Sequence, residues 1–164
     1  MDPVIDRIVG FLRDIGLPVR EGEVGESAFL PGLLIEAGVL VFDRDRLAWP
    51  GDLLHEAGHI AVTPSAQRPL LPDPLDGLSE LAHGGEAEAT AWAWAASVAL
   101  GLDPTVLFHA GGYRGYSANL ITSFSLGVCP GSHGLAKAGM TAFDPQAQAL
   151  GVPPYPHMIR WLRE

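Results

Sequence analysis

The segment HEAGH at residues 55–59 constrains this chain of 164 residues more than any other. On an α-helix, His55 and His59 stand one turn apart on one face, close enough for both imidazoles to reach a single metal ion. Glu56 is turned off that axis, toward an open coordination position. The H-E-x-x-H pattern thus combines the residue types that metal-assisted hydrolysis needs. Neutral imidazole suits Zn²⁺, and a carboxylate that does not ligate can accept the proton of the attacking water. The flanking residues support a helix. Pro50 and Asp52 fall where a first turn accepts proline and acidic side chains, and Leu53, Leu54, Ala57, Ile60 and Ala61 give an apolar surface at helical spacing. Pro64 ends it. Gly58 inside this helix costs about 1 kcal/mol relative to alanine, so a neighbouring backbone or the metal site needs room there.

Two histidines leave a tetrahedral catalytic site one protein ligand short. The third is expected from Glu86, at the start of the alanine-rich stretch GGEAEATAWAWAASVALGLDP. This stretch reads as a helix over about residues 85–100, bounded by Gly84-Gly85 before it and by Gly101 and Pro104 after it. Its alanines keep it thin, which lets it pack closely on the HEAGH helix and bring a carboxylate to the metal. Thr90, one turn after Glu86, is expected to hold a ligand by a hydrogen bond. Glu88 is rotated to another face and is expected to be solvated. His83 and Glu80, in the preceding loop, are alternative ligands on a less well-positioned segment.

At these residues the chain resembles the ImmA/IrrE family of zinc-dependent bacterial metallopeptidases, within the wider gluzincin group. One half of the resemblance is His55, Glu56, Gly58 and His59 in the form H-E-x-G-H. The other is EAEATAWA at 86–93, similar to the family's helix E-x-x-A-N-x-F-A, with Thr90 in place of Asn and Trp92 in place of Phe. The resemblance implies His55, His59 and Glu86 as zinc ligands and Glu56 as catalytic base. It covers about residues 33–105. The Arg-Phe pair often found before the family's motif is absent from WPGDLL, and no helix-turn-helix module is evident.

A peptide-bond hydrolase also needs a donor for the oxyanion that forms as water attacks. The phrase FHAGGYRGYS supplies candidates. Tyr113 and His109 are the first choices, with Arg114 and Tyr116 next. His133 and His157 read as cap or surface residues.

The remaining features narrow the class. At 48% hydrophobic residues the chain can bury one core, and residues 1–164 are expected to form one domain. A net charge of −9, with Lys137 the one lysine, argues against direct binding to a nucleic-acid backbone. The alanine-rich helix is too short in strongly apolar residues to span a membrane, and MDPVIDRIVGFLRDIG reads as an amphipathic helix rather than a secretory signal. A cytoplasmic location is expected. Cys129, the one cysteine, has no disulfide partner and reads as an inert core residue.

Along the chain, a helix is expected over 2–15 and a polar exposed loop over 20–27. A hairpin follows, with Leu33–Glu36 and Val39–Asp43 joined by Ala37-Gly38. Such a sheet could offer an edge to an extended peptide. Residues 64–82 hold four prolines and read as an irregular rim or lid. Helices are expected at 103–109, 117–126, 132–140 and 155–163. The fold class is α+β and zincin-like, a small sheet packed against the HEAGH and Glu86 helices. The expected function is zinc-dependent hydrolysis of polypeptide substrates. The alternative on the same fold is a catalytically weak metal-binding protein that regulates or binds a partner.

Overall fold

The computed structural model describes residues 2–71 and 85–164. The first helix, α1 (Pro3–Asp14), starts where its sequence dictates. The Asp2 carboxylate accepts a hydrogen bond from the Val4 N–H at 2.9 Å, and Pro3 occupies a first-turn position whose N–H would have no helical partner. Ile5, Ile8, Val9 and Leu12, at helical spacing, bury the inner face.

Three strands follow: β1 (Val19–Glu21), β2 (Leu33–Glu36) and β3 (Val39–Phe42). They lie in the order β1-β3-β2, with β1 parallel and β2 antiparallel to β3. The hairpin expected from the sequence is present, with Leu33 opposite Phe42 and Glu36 opposite Val39. Its turn residues Ala37 and Gly38 both have positive φ, 49° and 79°, the signature of a tight turn whose twist matches that of the strands. Gly38 is further required because a side chain there would strike the Arg68 carbonyl. Strand β1 corrects the expectation of a loop from residue 20. Its residues carry little apolar pattern, and the strand exists because Val19 and Arg20 pair with Leu40 and Val41, a contact between segments far apart in sequence.

The central pair of helices is α2 (Gly51–Val62), which contains HEAGH, and α3 (Gly85–Ala99). They meet at Gly58: a Cβ there would stand 2.6 Å from the Ala89 carbonyl oxygen. The glycine therefore admits the neighbouring backbone, as its presence in a helix interior suggested. Leu53, Leu54 and Ile60 are fully buried, each contributing about 1.5–3 kcal/mol, which outweighs the roughly 1 kcal/mol cost of Gly58. On its other side α2 packs against β2 and β3, sharing a core with Leu33, Ile35, Leu40 and Phe42. Ala89, Ala91, Ala93, Ala95 and Ala96 of α3 are buried, and Trp92 is fully so.

Four shorter helices complete the chain: α4 (Pro104–Leu107), α5 (Ser117–Ser125), α6 (Ser132–Lys137) and α7 (Gln146–Leu150). The described residues thus form an α+β fold of one three-stranded sheet and seven α-helices. Single 3₁₀ turns occupy Arg68–Leu70 and Tyr113–Gly115. The rest of the expected rim, from residue 72, lies outside the described residues.

The expectation of a helix over 155–163 is overturned, since that segment runs as turns and bends. Pro154 and Pro156 remove helical donors, and the chain finds better partners elsewhere. The Trp161 carbonyl accepts from Trp92 Nε1 at 2.9 Å, and the Arg163 N–H donates to the Ala61 carbonyl at 2.9 Å. The tail thereby satisfies a carbonyl that the C-terminus of α2 leaves without a helical partner. Among the described residues, no helix is long and apolar enough to cross a membrane.

Candidate metal centre

One turn of α2 and the first turn of α3 converge on a single point. His55 and His59 turn their rings toward each other edge-on, centroids 5.1 Å apart, and both present Nε2 to Glu86. The Glu86 carboxylate oxygens lie 3.0 and 3.2 Å from His55 Nε2, and one lies 3.2 Å from His59 Nε2. Ligand atoms of His55, Glu56 and His59 also lie within 4.8 Å of one another. Two ligands held tetrahedrally at zinc bond lengths of 2.0–2.1 Å stand about 3.3 Å apart, close to these separations. The set of two imidazoles and one carboxylate is the chemistry zinc accepts, so the residues present fit the metal. His55 Nδ1 is buried and has no hydrogen-bond partner among the described residues, so the ring's contacts are concentrated at Nε2. The alternative ligands Glu80 and His83 lie outside the described residues.

The electrostatics follow from this convergence. Hydrogen bonds from His55 and then His59 hold the Glu86 carboxyl far below the usual carboxylate range, against the opposing effect of burial. For His55, burial disfavours the cation. The hydrogen bond to Glu86 and the charges of Glu86, Glu56 and Asp52 outweigh it, so its pKa is raised. Glu56 is buried beside the two histidines, 9% exposed.

A pocket of about 550 Å³ opens onto His55, Glu56 and Glu86. Phe29, Leu120 and Phe124 give it apolar walls, and Tyr113 and Arg114 also line it. Tyr113 stands edge-on to His55, ring centroids 6.2 Å apart. Burial, reinforced by the charges of Asp52, Glu86 and Glu56, pushes its phenol well above the ordinary value, so it remains a proton-bearing donor. Both Tyr113 and Arg114 have left-handed backbone conformations, with φ of 58° and 51°.

His109 stands elsewhere. It does not line this pocket, is 4% exposed, and donates from Nε2 to the Asp52 carboxylate at 2.8 Å while stacking flat on Trp49. Thr90 also departs from expectation: its hydroxyl donates to the backbone carbonyl of Glu86 at 2.8 Å rather than to a ligand side chain. Glu88 is half-buried rather than fully solvated, lying where a side chain on Gly134 of α6 would run into it. Asp52, legible in the sequence only as a first-turn acid, also lines the pocket; its spacing of three residues before His55, one helical turn, is the signal that it faces the same site.

Comparison of the chain with known protein families, with curated proteins and with solved structures finds no match.

Proposed function

We propose that this chain is a zincin-like metallopeptidase, related in mechanism to the ImmA/IrrE enzymes it resembles, acting on polypeptide substrates. The observation that carries this reading is the meeting of His55 Nε2, His59 Nε2 and a Glu86 oxygen at 3.0–3.2 Å, with Glu56 beside them at the floor of an open pocket. These three residues would hold the metal. Bound there, Zn²⁺ supplies Lewis-acid polarisation of the scissile carbonyl and acidifies water. Glu56 accepts the proton of the attacking water and returns it to the leaving amine. The Tyr113 hydroxyl donates to the oxyanion that develops on the carbonyl carbon's oxygen, and the apolar walls exclude competing water.

The test is metal analysis joined to one isosteric substitution. The purified protein should carry about one zinc per chain. His55→Ala, His59→Ala and Glu86→Ala should each lose it. Glu56→Gln should keep zinc and fold yet abolish cleavage of unstructured polypeptides, because the amide cannot accept a proton. Full zinc content in Glu86→Ala would move the third ligand elsewhere. Cleavage undiminished in Glu56→Gln would remove the assigned base. Zinc-loaded wild type that cleaves nothing across a broad peptide library would leave a metal-binding protein in place of an enzyme.

A further inference from the structure

Resting on that peptidase reading, we propose that His109 is a positioning residue, which acts through Asp52 and Trp49 to hold Tyr113 over the metal pocket. His109 is tied on three sides. Its Nε2 reaches Asp52 in the first turn of α2 at 2.8 Å. Its ring lies parallel to the Trp49 indole, centroids 4.5 Å apart at 4°, just ahead of that helix. Its carbonyl accepts from Ser117 Oγ at 2.6 Å, which fixes the start of α5. An Asp carboxylate only accepts, so the contact orients the imidazole by its Nε2–H.

The glycines after His109 are shaped to this arrangement. A side chain on Gly111 would collide with the Trp49 indole, and a Cβ on Gly112 would stand 3.0 Å from His109 Cε1. Beyond them the chain enters the left-handed region at Tyr113 and Arg114, a conformation that non-glycine residues keep when the surrounding structure over-determines it. The Tyr113 ring is then held edge-on by His109 at 5.9 Å and by Phe108 at 5.2 Å, and faces His55. Asp52 joins the two regions: it lines the proposed metal pocket and also grips His109, so the helix that carries the proposed metal ligands also anchors the loop that carries the donor.

A double-mutant cycle decides between positioning and an independent role. His109→Ala should lower kcat by roughly 10-fold to 100-fold, bounded by the loss of the Tyr113 hydroxyl itself, with KM and zinc content nearly unchanged. In a Tyr113→Phe background the same substitution should change kcat by less than about 3-fold, because the group it positions is gone. His109→Gln, which keeps an Nε2–H donor for Asp52, should recover part of the loss. Asp52→Ala, which spares the His109 ring, should show the same coupling to Tyr113. Trypsin should cleave the Arg114–Gly115 bond faster in His109→Ala than in wild type, with or without zinc. Losses that multiply across the cycle, or unchanged cleavage at Arg114, would overturn the positioning role and leave the peptidase reading intact. If wild type turns over no peptide, the cycle is read as affinity of the zinc-loaded protein for a phosphonamidate peptide. Coupling there sustains the positioning role while the peptidase reading falls, and no binding overturns both.

Discussion

The α2–α3 frame and the loop at 109–116 both face the same pocket, yet they are held in place by different means. In the frame, the proposed metal ligands follow from helical periodicity on two stiff elements, and Gly58 against Ala89 sets how close those elements come. In the loop, Tyr113 reaches the pocket through a left-handed backbone secured by contacts from Trp49, Asp52 and Phe108. The frame answers to local rules. The loop answers to partners supplied by other parts of the chain, so damage to the two regions should differ in kind: loss of metal in one, loss of rate with metal retained in the other.

The largest effect is expected from Gly58→Leu. With the first added carbon already 2.6 Å from the Ala89 carbonyl, α3 must move away, at a cost of about 1–3 kcal/mol or more. Glu86 would withdraw from the histidines, and zinc content should fall to near zero together with Tm. Unaltered Tm and full zinc in this variant would show that the frame tolerates separation and would break the contrast.

Tyr113→Phe is the matching lesion in the loop. Removing the hydroxyl should lower kcat by roughly 10² while zinc content and KM stay nearly constant, since the hydrogen bond strengthens in the transition state. A rise in KM with unchanged kcat would instead make the loop a substrate-binding rim.

The smallest effect concerns pH and sharpens the electrostatic side of the frame in metal-free protein. His55 has a folded pKa raised above 6.5, so its contribution to stability is full below about 6.5 and is lost as pH rises through the folded value. Glu86 has a folded pKa lowered from 4.5, so its contribution is present above about 4.5 and is lost as pH falls toward the folded value. Tm measured with a chelator should therefore gain from this pair chiefly between roughly pH 4.5 and 6.5. Zinc competes with protons for imidazole, so loading should move the optimum upward. A metal-free Tm that is flat from pH 4 to 8 would count against the His55–Glu86 pair.

Much of the frame was legible because its signals are local. The 3.6-residue period around HEAGH, the Gly84-Gly85 boundary and the Ala37-Gly38 turn each act within a few residues, and α2, α3 and the β2–β3 hairpin stand where those signals put them. The misses share the opposite character. Strand β1 draws its existence from β3, the tail at 155–163 trades a helix for bonds to Trp92 and Ala61, and His109 trades the pocket for Asp52 and Trp49.

The sequence by itself determined the chemistry on offer: two imidazoles one turn apart, a carboxylate beside them, and a thin helix beginning with a second carboxylate. Helical spacing is enough for that, because residues three or four apart share a face whatever the rest of the chain does. Only the tertiary structure decided that Glu86 comes within 3.2 Å of both histidines, that Tyr113 rather than His109 overlooks them, and that Asp52 serves the loop as well as the helix. Those outcomes depend on packing between segments far apart in sequence, 57 positions for His109 and Asp52, and such contacts are set by mutual fit and burial rather than by any local period.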